Sequence, residues 1–180
     1  MDTYEIRFPI TNQKPYDQVC TLQNQVAHFT AVNPPNFDTP PFVTYIRQIR
    51  GVDDVVAEKL IKSVATRMRR APIALHGVLP SKEPNVVILP ALATQGVASL
   101  LNGIAEIFSF LPHQGGDTAA DNMLYVPLTA ELSSVSDRTR SLIRGILVPL
   151  IIAPLTIIEL YRKPVAGGKY KKIASFPLLE

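Results

Sequence analysis

The sequence feature that most constrains the fold is the apolar run GILVPLIIAPLTII at residues 145 to 158. Its 14 residues fall short of the roughly 20 that an α-helix needs to cross the hydrocarbon core of a bilayer. Pro149 and Pro154 also interrupt any helix through this run, because proline lacks a backbone N–H and clashes with the preceding turn. The run therefore belongs inside a folded protein, and we expect the end of a buried helix followed by a buried strand.

Composition agrees with one globular domain over residues 1 to 180, because 47% of the residues are hydrophobic and only 18% are charged. The net charge of +3 is compatible with an anionic ligand but is too small to indicate nucleic acid by itself. Cys20 is the only cysteine, which excludes an internal disulfide and suits a reducing compartment. Asp2 and Glu5 stand where a signal peptide would carry basic residues, so we expect a cytoplasmic location.

Hydrophobic spacing along the chain predicts a mixed α+β fold. Two helix starts carry clear signals: Thr39 can cap a helix with Pro40 at its first position, and Asp53 or Asp54 begins a second helix. The strands are predicted at residues 4–10, 28–32, 72–79, 86–89, 123–132, 152–161 and 170–177, and the helices at residues 15–27, 39–49, 53–68 and 91–111 and from about residue 136. The segment HQGGDTAAD is predicted to be a loop.

The segments YEIRFPI, HFTAV, PNVVILP and ELYRKPVAGGKYKKIASFPL, read in this order, resemble the 2H phosphoesterase superfamily. This group includes bacterial 2'-5' RNA ligase-like proteins and cyclic nucleotide phosphodiesterases, and the resemblance extends over nearly the whole chain. It is closest in the last segment, where a strand containing LYR, a glycine turn followed by tyrosine and a strand ending in FPL succeed one another. The resemblance implies two pseudo-symmetric α/β lobes with antiparallel sheets around a central cleft, each lobe contributing a His-x-Thr/Ser strand.

The first such motif is predicted at His28-Phe29-Thr30. In a strand, alternation directs His28 and Thr30 to the same face and Phe29 to the other, which suits a phosphate ligand. A single His-x-Thr also arises by chance, so a structural histidine is the alternative that the residues alone leave open. The resemblance implies that one histidine of a complete site accepts a proton and the other donates one.

The second motif departs from the family pattern. In LYVPL, Tyr125 takes the histidine position and Pro127 takes the Thr/Ser position. A tyrosine, with an ordinary pKa of about 10, donates a hydrogen bond but is no ready base at pH 7, and proline has no side-chain donor. His113 is an alternative second histidine, although it precedes a glycine loop, and His76 is interpreted as structural or at the surface.

The resemblance therefore implies a site formed by His28, Thr30 and Tyr125 as the catalytic set, with Lys169 and Tyr170 binding phosphate or RNA. Solvation of an edge strand is the alternative role for the lysine. We expect neither a metal nor another cofactor, since three scattered histidines without a carboxylate at ligand spacing do not form a metal site. No membrane partner is expected.

Three functions compete at this stage. The first is a phosphoesterase that binds and hydrolyses 2',3'-cyclic phosphate or 2'-5'-linked ends of RNA or nucleotides. The second is an RNA- or nucleotide-binding module without turnover, which the change to Tyr125-Val126-Pro127 favours. The third is a protein-interaction module whose cleft is vestigial and whose apolar surface serves a partner.

Overall fold

A computed structural model describes residues 2–33, 40–45, 48–81, 85–111, 123–133, 136–165 and 168–180. The strands are β1 (Thr3–Pro9), β2 (Phe42–Tyr45), β3 (Ile49–Arg50), β4 (Ala71–Leu75), β5 (Leu79–Pro80), β6 (Val87–Pro90), β7 (Leu124–Pro127), β8 (Ile151–Leu155), β9 (Ile157–Lys163) and β10 (Lys171–Pro177). The helices are α1 (Gln13–Thr30), α2 (Asp54–Ala65), α3 (Gln95–Ser109) and α4 (Asp137–Arg144).

The strands form two sheets. The larger sheet has the order β10-β9-β1-β2-β7-β6-β5, with β3 pairing β1, and the smaller sheet pairs β4 with β8. All pairings between these strands are antiparallel. The predicted α+β class with antiparallel sheets is confirmed.

The larger sheet consists of two related halves that meet at its centre. The succession β1-α1-β2 in one half matches β6-α3-β7 in the other, and β2 lies beside β7. The order β9-β1-β2 on one side is mirrored by β5-β6-β7 on the other. The first strand of each repeat also ends in proline, Pro9 in β1 and Pro90 in β6. This pseudo-twofold arrangement places side chains of β2 and β7 together in the middle of the sheet.

One face of the sheet packs against helices and forms the core. In β1, Tyr4, Ile6 and Phe8 are buried in the core together with Val19 and Val26 of α1. Glu5 and Arg7 alternate with them and point to the opposite face. The apolar run at residues 145–158 supplies β8, in which Ile151, Ala153 and Leu155 are buried. No helix in the described part of the chain is both long and apolar enough to span a membrane.

Helix starts follow the local sequence signals. The side chain of Asp53 accepts a hydrogen bond from the backbone N–H of Val56 at 2.8 Å, and Ser136 accepts from Thr139 N–H at 3.1 Å. These contacts satisfy amide groups that have no partner within the helix. Thr94 caps α3 in the same way. The predicted starts of α2 and α4 are confirmed.

Two predicted elements are wrong. The strand expected at residues 28–32 is the end of α1, which continues to Thr30 and stops at Ala31 with a left-handed φ of 56°. The helix expected at residues 39–49 is replaced by β2 and β3, because Phe42, Val43 and Tyr45 are buried in the middle of the sheet. The strand expected at residues 152–161 divides into β8 and β9, and the expected HQGGDTAAD loop lies outside the described residues.

Candidate functional site

The candidate site lies where β2 and β7 pair on the face opposite the helices. Thr44 pairs with Tyr125, and the same register continued along the strands places Phe42 opposite Pro127. Tyr125 is therefore on a strand, as predicted, at the junction of the two halves. Its partner strand carries Phe42-Val43-Thr44.

Pseudo-symmetry identifies Phe42-Val43-Thr44 as the counterpart of Tyr125-Val126-Pro127. Pro9 of β1 pairs with Phe42, just as Pro90 of β6 pairs with Tyr125. The resemblance assigns Tyr125 to the position of the second histidine, and pseudo-symmetry makes Phe42, rather than His28, its counterpart; Phe42 and Tyr125 are called here the histidine positions. Sequence reasoning missed Phe42, although comparing the chain with itself would have aligned IRFP with VILP and FVT with YVP.

The structure does not bring His28 and Thr30 to this face. Both residues lie at the end of α1, where the Thr30 hydroxyl donates to the Val26 carbonyl at 2.9 Å. His28 is exposed and lines a groove between α1 and α4. The prediction that His28 lies on a strand and faces Tyr125 across a shared cleft is therefore wrong, because the helix runs three residues further than predicted. His76 is exposed beyond β4, and His113 lies outside the described residues.

A buried arginine occupies the centre of the face. The guanidinium of Arg7 lies 4.0 Å from the ring centroid of Phe42, 4.1 Å from that of Tyr161 and 5.0 Å from that of Tyr170. Cation–π attraction of this kind strengthens when the partners are desolvated, and the Arg7 side chain is only 2% exposed. We call Glu5, Arg7, Phe42, Thr44, Tyr161 and Tyr170 the Arg7 cluster.

The carboxylate of Glu5 completes the Arg7 cluster. Arg7 Nη2 donates to Glu5 Oε2 at 3.0 Å. The Thr44 hydroxyl lies 3.0 Å from Glu5 Oε1 and 2.8 Å from the Ile6 carbonyl, so its single proton serves two acceptors. The hydroxyl at the Thr/Ser position of β2 is therefore already engaged by groups of the protein itself.

A second carboxylate on the same face is also neutralised internally. Glu159 accepts hydrogen bonds from Lys172 Nζ at 2.9 Å and from the Tyr161 hydroxyl at 3.1 Å. Both carboxylates of this charged half are therefore paired with cations of the protein itself. Lys163 Nζ also lies 5.6 Å from the ring centroid of Tyr170, so further positive charge lies beside the Arg7 cluster.

The tyrosines of this face are proton donors at neutral pH. Burial, and secondarily the charge of Glu5, raises the pKa of Tyr125 well above its ordinary value. Burial followed by the Glu5 charge also raises the pKa of Tyr170 to about 12. Neither phenol ionises near pH 7, and no histidine is found among the described residues of this face. The face therefore lacks a described group that exchanges protons readily at physiological pH.

The two residues predicted to bind phosphate, Lys169 and Tyr170, lie in different surroundings. Tyr170 belongs to the Arg7 cluster, and its hydroxyl accepts from Gln48 Nε2 at 2.7 Å. Lys169 precedes it and is exposed. Among the described residues there is no group of three His, Cys, Asp or Glu side chains that could hold a metal ion.

The other half of the face is apolar. Val86, Ile88 and Tyr125 pack together with Met123 as a cluster separate from the main core. Ile88 pairs with Pro127 as Arg7 pairs with Thr44, so an aliphatic side chain occupies the position that is pseudo-symmetric to the buried arginine. The two halves have therefore diverged in chemistry while keeping the same backbone arrangement.

Comparison with solved structures shows which fold this is. Over 99% of this chain and 98% of the other, Escherichia coli LigT complexed with 3'-AMP matches with a TM-score of 0.63 and 16% sequence identity. A crystal structure described as a phosphoesterase matches over 100% of both chains with a TM-score of 0.60 and 15% identity. Kluyveromyces marxianus Usb1 matches over 98% of both chains with a TM-score of 0.58 and 14% identity.

These likenesses define the class of fold, the LigT-like 2H phosphoesterase fold that the sequence resemblance implied. Identities of 14–16% support a common fold and carry no activity from one protein to another. No protein-family model and no curated protein sequence matches the chain.

Proposed function

We propose that this protein is a non-hydrolysing interaction module on the 2H phosphoesterase fold. The observation that supports the proposal is that Phe42 and Tyr125 hold equivalent places in the central strand pair and that neither is a histidine. Phenylalanine has no proton to transfer, and burial keeps Tyr125 protonated. A positioned proton-transfer group contributes on the order of 100- to 10,000-fold to such a reaction, so loss of both groups removes most of the rate enhancement.

Glu5 further disfavours a phosphorylated ligand. Its carboxylate already lies against Arg7 and Thr44, the cation and hydroxyl that would otherwise serve a phosphate. An incoming phosphate must displace Glu5 or lie beside it, and like charges at such a distance repel. The geometry therefore favours the third function, in which the cleft is vestigial and another surface serves a protein partner. We propose a cytoplasmic location, which suits the free thiol of Cys20.

A second candidate is binding, without hydrolysis, of a nucleotide or an RNA end that carries a 2',3'-cyclic phosphate or a 2'-5' linkage. Two observations favour it. Structures of LigT were solved with 3'-AMP, NADP+ and ATP. In this protein, the Tyr125 hydroxyl makes no hydrogen bond within the described residues, so it is available as a donor. Lys169 and Tyr170 would then contact the ligand from the start of β10.

A turnover assay tests the absence of hydrolysis. Purified protein is incubated with 2',3'-cyclic AMP, and product is measured for wild type, Tyr125→Phe and His28→Ala. We expect product at the level of the protein-free blank in all three. Product that requires wild-type protein and is lost in Tyr125→Phe would show that the cleft is catalytic and would overturn the proposal.

Calorimetric titration with 3'-AMP separates the two candidates. The interaction module is expected to show no saturable binding up to millimolar nucleotide. Saturable binding by wild type that weakens at least 10-fold in Tyr125→Phe, without turnover, would instead establish the nucleotide-binding candidate.

A further inference from the structure

An open groove lies between α1 and α4. It encloses about 890 Å³ and is lined by α1 from Thr21 to Phe29 and by α4 and the following loop from Ser141 to Leu147. Val19 and Val26 of α1 share the core with Ile6, so this helix packs on the sheet face opposite the Arg7 cluster. We call this feature the α1–α4 groove, and it is separate from the candidate site.

Large apolar side chains of the groove are exposed to solvent. Phe29 is 38% exposed, Leu142 is 45% exposed and Leu147 is 94% exposed. Leu150 and Ile152, which follow in sequence, are also at least half exposed. The exposed apolar side chains of the groove are the contact groups that it offers to a partner.

Helix α4, which forms one wall of the groove, is basic. Helix α4 has the sequence DRTRSLIR, in which Arg138 and Arg144 are exposed and only Asp137 is acidic. Among the described residues that line the groove, none is acidic, and His28 lies within it. Asp17 is one turn before the groove on α1, where it accepts a hydrogen bond from Gln13. With three arginines and one aspartate, α4 brings a net positive charge to this side of the groove, which complements carboxylates on a partner.

The dimensions of the groove fit a short helix. From Thr21 to Phe29, α1 rises by about 12 Å at about 1.5 Å per residue, which corresponds to about two turns of a docked helix. A concave groove between two helices receives the convex apolar face of an amphipathic helix, whereas a flat bilayer leaves its floor uncovered. The shape of the groove and the charge of α4 thus both fit an amphipathic helix with acidic residues.

We propose that the α1–α4 groove binds an amphipathic helical segment of a protein partner, with apolar side chains at positions i, i+3 or i+4 and i+7 flanked by acidic residues. The inference rests on the proposed function, because it names the surface and the partner chemistry of the interaction module. Phe29, Leu142 and Leu147 contact the apolar side chains, and Arg138 and Arg144 lie near the acidic flanks.

The test is a selection from a displayed library of 14-residue helical peptides against the purified full chain. We expect the enriched peptides to carry a net negative charge and the apolar spacing given above. A synthetic copy, labelled with fluorescein, should bind with a micromolar Kd by anisotropy. Binding should weaken at least 10-fold in Leu142→Asp/Leu147→Asp and at least 3-fold in Arg138→Glu/Arg144→Glu.

Val55→Asp is the matched control, since Val55 is another exposed apolar helical residue, on α2. This variant should bind the peptide like wild type. Absence of enrichment, enrichment of basic peptides, or equal binding by Leu142→Asp/Leu147→Asp would overturn the inference. Retention of wild type on phosphatidylserine vesicles, lost in the same double variant and without peptide binding, would assign the surface to a membrane and also overturn it. The turnover and 3'-AMP assays do not depend on the groove, so failure of the proposed function would be seen separately.

Discussion

Replacing Arg7 with methionine tests whether the ion pair of Arg7 and Glu5 is buried away from water in the folded protein. Methionine keeps much of the apolar volume between the rings of Phe42 and Tyr161 but removes the charge. Glu5 would then lose the donor that lies 3.0 Å from its Oε2 atom. Because the Glu5 side chain is only 12% exposed, water compensates this loss incompletely.

The expected loss of stability follows from burial of both partners. Removing one member of a buried ion pair costs about 3–5 kcal/mol, since the remaining charge is left uncompensated. A protein of this size has a urea m-value near the upper part of the range of about 1–3 kcal/mol/M. With about 2.5 kcal/mol/M, the unfolding midpoint of Arg7→Met should fall by about 1.2–2 M urea.

The double variant Arg7→Met/Glu5→Gln should recover most of this loss, because neither charge is then buried alone. The chain contains no tryptophan, so unfolding is followed by far-UV circular dichroism with tyrosine fluorescence as the second signal. A loss below about 1 kcal/mol in Arg7→Met, or no recovery in the double variant, would refute the conclusion that the pair is desolvated.

Three further predictions follow from contacts in the structure. Glu5→Gln should give saturable binding of 3'-AMP below millimolar nucleotide in calorimetric titration, where wild type shows none, because the carboxylate that competes for Arg7 and Thr44 is removed; absence of binding by the variant would contradict the assignment of Glu5 as the internal anion. Stability should fall above pH 10, because Tyr170 keeps its proton in the folded state up to about pH 12 while the unfolded chain ionises; urea midpoints from pH 8 to 11.5 should fall less in Tyr170→Phe. Gly96→Ala should lower stability by about 1–3 kcal/mol, because its Cβ would lie 2.8 Å from the Pro72 carbonyl oxygen; a midpoint unchanged from wild type would show that β4 and α3 adjust freely.

The parts of the fold that the sequence predicts correctly are those with local signals. Asp53 and Ser136 accept backbone hydrogen bonds at the starts of α2 and α4, as capping residues do. Strict alternation predicts β1, and the segment ending in FPL predicts β10. In each case a side chain makes contact within a few residues of its own position, or a whole strand repeats one pattern.

The histidine motif was misplaced because the end of α1 lacks its usual sequence signal. Helices often end at a glycine that adopts the left-handed conformation, whereas Ala31 takes that conformation here with a φ of 56°. Nothing before it interrupts the helical spacing of Val19, Leu22 and Val26. The strand β2 was missed for the converse reason, since Thr39-Pro40 looks like a helix start while the sheet buries the residues that follow.

Under the proposed function, the two halves of the central sheet keep the structure of this fold without the chemistry of its cleft. Phe42 and Tyr125 place an aromatic ring at each histidine position. In the second half, Pro127 takes the place that corresponds to Thr44, so that place carries no Thr/Ser hydroxyl. A buried ion pair contributes little net stability compared with well-packed apolar residues, so Glu5 and Arg7 are poorly explained as a stabilising device alone. Glu5 and Arg7 instead fill the charged half of the face, just as Ile88 and Val86 fill the apolar half. Under the proposed function, a partner is therefore bound by another surface, and the α1–α4 groove is the one that we propose.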